Sequence, residues 1–134
     1  MTTNHDSQAG GAPAAVGPYS LVRQAGDFYY LAGQIGLDPE SGELVAGGVE
    51  EQAHQALRNM DRILSGAGLG REHVMKTTVF LTNMDDFGRV NDVYAGFFAG
   101  VFSFPARSCV AVKALPKGAL VEVEALAHKV PELG

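Results

Sequence analysis

Residues 74–82 read Val-Met-Lys-Thr-Thr-Val-Phe-Leu-Thr. The β-branched side chains of Val74, Thr77, Thr78, Val79 and Thr82 favour a pleated strand over a helix. Simple alternation puts Val74 and Phe80 on one face, with Met75, Val79 and Leu81 on the other. Both faces carry apolar groups, so both need cover.

Helical patterns flank this strand on either side. Upstream, Val49, Ala53, Ala56, Leu57, Met60, Ile63, Leu64 and Ala67 recur at three- and four-residue spacing, which predicts a helix over Val49–Gly66. The segment Gly66-Ala67-Gly68 ends it, because Gly accepts the left-handed conformation that closes a helix. Downstream, Asn83 followed by Asp86 resembles an N-cap pattern. It opens a second helix with Phe87, Val90, Val93, Tyr94 and Phe97 on one face.

Further out, Ser20–Gln24 and Asp27–Gly33 read as strands joined by a tight turn at Ala25-Gly26. Asp38-Pro39-Glu40-Ser41-Gly42 has strong turn chemistry. Pro105 blocks further helix, and Arg107–Val112 and Ala119–His128 read as closing strands around the turn Leu115-Pro116-Lys117-Gly118. The expected fold is α+β, in the order ββαβαββ, with a mixed sheet. Its two strand–helix–strand crossovers are both expected to be right-handed, which lays both helices on one side. Strand Asp27–Gly33 likewise turns Phe28 and Tyr30 one way and Tyr29 and Leu31 the other. Two helices cover one sheet face only, so the other is expected to be buried by a further copy of the chain.

At 134 residues the chain fits a single domain, expected over 13–131, after a small, polar stretch at 1–12 that reads as a disordered tail. A formal net charge of −5, with no run of Lys or Arg, removes the usual drive for nucleic-acid binding. The single Cys109 excludes an intrachain disulfide. No apolar run approaches the ~20 residues needed to span a bilayer, and the first residues lack the features of a signal peptide. A cytoplasmic location without membrane association is the expectation.

Few residues could carry chemistry. Alternation places Arg107, Cys109 and Ala111 on one face of their strand. An Arg beginning an otherwise apolar strand can clamp a carboxylate through two parallel hydrogen bonds, or can form a structural ion pair. Glu122 and Glu124 share a face of the last strand, where burial or mutual repulsion raises a carboxyl pKa towards neutrality. A solvated sheet edge is the plain reading of the same pattern. Cys109 has no His in a pairing context and reads as a small buried hydrophobe. His5, His54, His73 and His128 lack metal-ligand spacing, so neither a metal nor another cofactor is expected. Gly66-x-Gly68-x-Gly70 follows a helix rather than a strand and is a poor phosphate loop. The aromatic residues of the second helix read as core.

These motifs assemble into a resemblance covering roughly residues 12–130. Ala14-Ala15-Val16-Gly17-Pro18-Tyr19-Ser20, Ala32-Gly33-Gln34-Ile35, Asp38-Pro39 with Gly42, and residues 74–82 match the reactive intermediate deaminase (RidA/YjgF) family in order and spacing. So do Phe87, Val90-Asn91 and Tyr94, Phe104-Pro105-Ala106-Arg107-Ser108, and Leu115 to Ala125. The resemblance implies a chorismate-mutase-like fold and a homotrimer with active sites between subunits. It implies cofactor-free hydrolysis of 2-iminobutanoate and 2-iminopropanoate to 2-keto acids and ammonium.

Carried over by position, Arg107 would clamp the substrate carboxylate and Glu122 would position the attacking water. Tyr19 and Asn91 would line the cleft, while Gly33 and Cys109 would contact ligand through their backbones. Arg107 and Glu122 are expected to come from neighbouring closing strands and to meet in one intersubunit pocket. Many family deaminases have Ser where this chain has Ala32, so one hydroxyl contact is missing. The alternative is a non-catalytic, small-ligand-binding regulatory trimer of the same fold. A ribonuclease reading, attached to some family members, lacks a basic, aromatic groove.

Overall fold

The computed structural model describes residues 11–131. Its five strands are β1 (Val22–Ala25), β2 (Phe28–Gln34), β3 (Val74–Leu81), β4 (Ala106–Ala111) and β5 (Val121–His128), and its helices are α1 (Val49–Gly66) and α2 (Phe87–Phe97). This is the α+β order read from the sequence. The sheet runs β1-β2-β5-β3-β4, with only β3 and β4 parallel. The last strand therefore lies at the centre. β4 and β5 are not neighbours, as the sequence reading had them, because β3 lies between them. A parallel β3–α2–β4 crossover pushes β4 to the edge and leaves the slot beside β3 to β5.

The apolar stripe of α1 becomes the middle of the core. Ala53, Met60, Ile63 and Leu64 are fully buried, against Leu31, Val79, Leu81, Val121 and Val123 from the sheet and Val90, Val93, Tyr94 and Phe98 from α2 and its end. Each fully buried Leu, Ile or Val side chain stabilises the fold by about 1.5–3 kcal/mol. Gly68, at φ +79°, follows the helix in the left-handed region. At the other boundary, Asn83 Oδ1 accepts a hydrogen bond from the Asp85 amide at 2.9 Å, capping a short 3₁₀ turn that leads into α2.

Two β-bulges change the faces expected from simple alternation. Val74 pairs with Ala127 but Lys76 with Leu126, so Met75 is one residue too many. The bulge turns Val74 into the core at 3% exposure and Met75 outward at 44%, the reverse of the alternating assignment. In β2, Leu31 pairs with Ala125 and Gln34 with Val123, so the chain gains a residue at Ala32-Gly33. Gln34 is consequently buried on the core side.

The opposite face carries Tyr30, Thr78, Phe80, Glu122, Glu124 and Leu126. Tyr30 is 52% exposed there and Phe28 43%. No element among the described residues covers it. Residues 1–10 of the expected tail lie outside the described residues, while Ala12 packs half-buried against the core.

Candidate functional site

The residues singled out by sequence fall into two groups. Tyr19, Gly33 and Glu122 line one cavity of about 380 Å³, together with Ala32, Lys117 and a largely apolar wall that includes Val16, Ile35 and Leu37. Tyr19 Oη accepts a hydrogen bond from the Val16 amide at 3.3 Å, which ties the segment entering β1 into a tight loop. The β2 bulge brings Gly33 against β5, where a Cβ would collide with the Glu122 carboxylate. Burial, then the charge of Glu124, pushes the Glu122 carboxyl above the usual carboxylate range. A half-buried acid whose pKa is raised in this way is a stronger base than an ordinary carboxylate and can take and return a proton.

Arg107 and Asn91 form the second group. Arg107 Nη1 donates to Asn91 Oδ1 at 2.8 Å. The guanidinium carbon lies 4.8 Å from the Tyr94 ring centroid and 5.4 Å from that of Phe87. Tyr94 is itself held by a 2.6 Å hydrogen bond between its Oη and Thr77 Oγ1. Cys109 sits two residues along β4 on the same face, half-buried, and burial raises its thiol pKa. That keeps the thiol protonated and weakens it as a nucleophile.

Sequence reasoning missed Phe87 and Tyr94 as part of this group and assigned them to the core. Tyr94 is indeed buried, but the face of its ring holds the guanidinium, and Phe87 is 38% exposed beside it. The signal was present: Phe87, Asn91 and Tyr94 stand at i, i+4 and i+7, one face of a helix. What the sequence could not supply was that β4 lies alongside that face.

The two groups do not meet within one chain. Arg107 is the register partner of Thr77, and Glu122 that of Phe80. Thr77 points to the helices and Phe80 away from them, so the guanidinium and the carboxylate stand on opposite faces of one sheet. Among the described residues, no three His, Cys, Asp or Glu side chains cluster so as to hold a metal ion, and no helix is long and apolar enough to cross a membrane.

Comparison with known proteins gives this arrangement its context. A family model described as endoribonuclease L-PSP matches residues 9–129. The chain belongs to the endoribonuclease L-PSP family. Family relatives include the mouse 2-iminobutanoate/2-iminopropanoate deaminase, 52% identical over 90% of this chain and 87% of that one. The human protein of the same name is 49% identical over 90% and 86%. Among solved structures of the family fold, the E. coli YjgF gene product superposes with a TM-score of 0.84 at 42% identity, covering 90% of this chain and 94% of that one. E. coli TdcF with bound serine gives 0.84 at 40% identity, over 89% and 94%.

Proposed function

We propose that this protein hydrolyses short 2-imino acids, 2-iminobutanoate and 2-iminopropanoate, to 2-keto acids and ammonium. It works in the cytoplasm as a homotrimer whose sites lie between subunits. The observation that carries this reading is the split of Arg107 and Glu122 onto opposite sheet faces. One half binds an anion and the other handles a proton, and a second copy brings them together. The uncovered face with Phe28 and Tyr30 offers the apolar surface for that contact. The names of the mouse and human relatives support the same chemistry.

In this cleft Arg107 binds the substrate carboxylate through two parallel hydrogen bonds. Asn91 and the rings of Phe87 and Tyr94 fix its plane. The imine carbon then faces a water held by Glu122. The imine enters protonated on nitrogen; as the water oxygen bonds to its carbon, Glu122 takes a proton from that water, and the C=N π electrons move to nitrogen to give a neutral carbinolamine. The carbinolamine collapses when Glu122 returns the proton to nitrogen: the C–N bond breaks with its electron pair going to ammonia, the oxygen lone pair forms the keto C=O bond, and the hydroxyl proton passes to the ammonia, which leaves as ammonium. General-base assistance supplies ~10²–10⁴-fold, and fixed orientation adds to it. With a net charge of −5 and no run of Lys or Arg, the chain is ill-suited to RNA, whatever the family description says.

The test generates 2-iminobutanoate in situ with a threonine dehydratase and follows keto-acid release with and without the protein. Acceleration by the wild type and its loss in Arg107→Ala are the expected results. Full activity in that variant removes the carboxylate clamp. Tight keto-acid binding without turnover would favour the regulatory trimer.

A further inference from the structure

The buried face of α1 carries polar side chains within its apolar stripe. Gln52, Gln55 and Asn59 are 6%, 7% and 0% exposed. Asn59 Nδ2 donates to the carbonyls of Ile35 at 3.2 Å and Leu37 at 2.9 Å, and its Oδ1 accepts from Gln55 Nε2 at 2.8 Å. Gln52 Oε1 accepts from the Leu120 amide at 2.8 Å. Buried amides are tolerated where their hydrogen bonds are made. Gln55 bonds within α1, to Asn59 and Arg58, while the bonds of Asn59 and Gln52 that leave the helix go to one region. Ile35 and Leu37 wall the Glu122 cavity, and Leu120 stands two residues before Glu122. Gly36 seals the contact, since a Cβ there would come 2.7 Å from the Gln52 carbonyl oxygen.

Leu120 is held from both sides. Its carbonyl accepts from the Thr82 amide at 3.3 Å, at the end of β3, while its N–H is taken by Gln52. Ala119 and Val121 on either side are 1% and 0% exposed, so alternation throws Glu122 onto the uncovered face. The height at which β5 enters the sheet therefore sets where the carboxylate stands.

We propose that Gln52 is a positioning residue for Glu122, acting through the Leu120 amide, with Asn59 holding the adjoining cavity wall. The inference rests on Glu122 as the group that orients water. A purely structural Gln52 would lower stability and leave the chemistry of the folded enzyme unchanged. A positioning Gln52 changes turnover at temperatures where the variant is fully folded, because misplacement by ~1 Å costs up to ~10²-fold.

The experiment compares full-length Gln52→Met, which loses the acceptor, with Gln52→Glu, which keeps it. It measures thermal unfolding, imine turnover, and the titration of Glu122 by carboxyl-carbon NMR. In folded Gln52→Met, kcat is expected to fall about 10-fold with KM within about twofold of wild type. The Glu122 titration is expected to move to lower pH as water reaches it, and Gln52→Glu to restore most of kcat. Wild-type kcat in folded Gln52→Met overturns the inference, as does a Gln52→Glu protein impaired to the same degree. If Gln52→Met does not fold, Gln52→Glu decides alone: a folded protein with kcat down about 10-fold overturns it. A wild type without imine hydrolysis would sink the proposed function instead. In that case the titration decides, and an unmoved Glu122 in Gln52→Met overturns the positioning role.

Discussion

Arg107 and Glu122 lie on opposite faces of one sheet, with β3 between their strands. Arg107 is in register with the helix-facing Thr77, and Glu122 with the outward-facing Phe80. Within one chain the sheet separates the two side chains. A site that needs both is built from two copies.

Subunit complementation follows directly. Arg107→Ala and Glu122→Gln are each expected to be inactive. Co-refolding them at equal ratio lets a subunit with intact Arg107 sit beside one with intact Glu122. With random assembly, a half times a half gives roughly a quarter of the sites wild-type in composition. Recovery of about that fraction of activity is the expected result. No recovery from mixed oligomers would place both groups in one subunit's site.

Arg107→Lys keeps the charge but loses the planar fork and its stacking between Phe87 and Tyr94. Hydrogen bonds to a charged group contribute about 1.5–3 kcal/mol, so kcat/KM should fall roughly 10- to 100-fold. Steady-state kinetics check this, and near-wild-type kcat/KM would mean that a point charge suffices.

The Glu122 carboxyl is raised first by burial and then by the neighbouring charge of Glu124. As a base it must be ionised, so activity is lost as pH falls through its raised pKa. Glu124→Gln removes the repulsion that disfavours ionisation. The acid limb of the pH–rate profile should then move to lower pH, though the burial contribution remains. A limb that does not move would separate the limb from the Glu122–Glu124 pair.

Gly33→Ala places a methyl group where the Glu122 carboxylate now stands. The carboxylate is the end of a flexible side chain and can swing aside. Stability should therefore change by less than about 1 kcal/mol, while kcat falls about 10-fold or more. Thermal unfolding and kcat measured on the same preparation check both. Unchanged kcat would show that the carboxylate need not lie against Gly33.

The sequence by itself determined the elements and the residue types available for chemistry. The apolar stripe of Val49–Gly66, the β-branched run at 74–82 and the Gly and Pro turns are local patterns, legible because they depend on spacing along one segment. The resemblance likewise singled out Arg107, Glu122, Tyr19, Gly33, Asn91 and Cys109 by position as candidates. Only the tertiary structure decided how these are divided. β5 enters between β2 and β3, and the Met75 and Ala32-Gly33 bulges reset the alternation. α2 lays Phe87, Asn91 and Tyr94 beside Arg107. Strand order and bulge position arise from contacts between segments far apart in the chain, and no periodicity within a single segment encodes them.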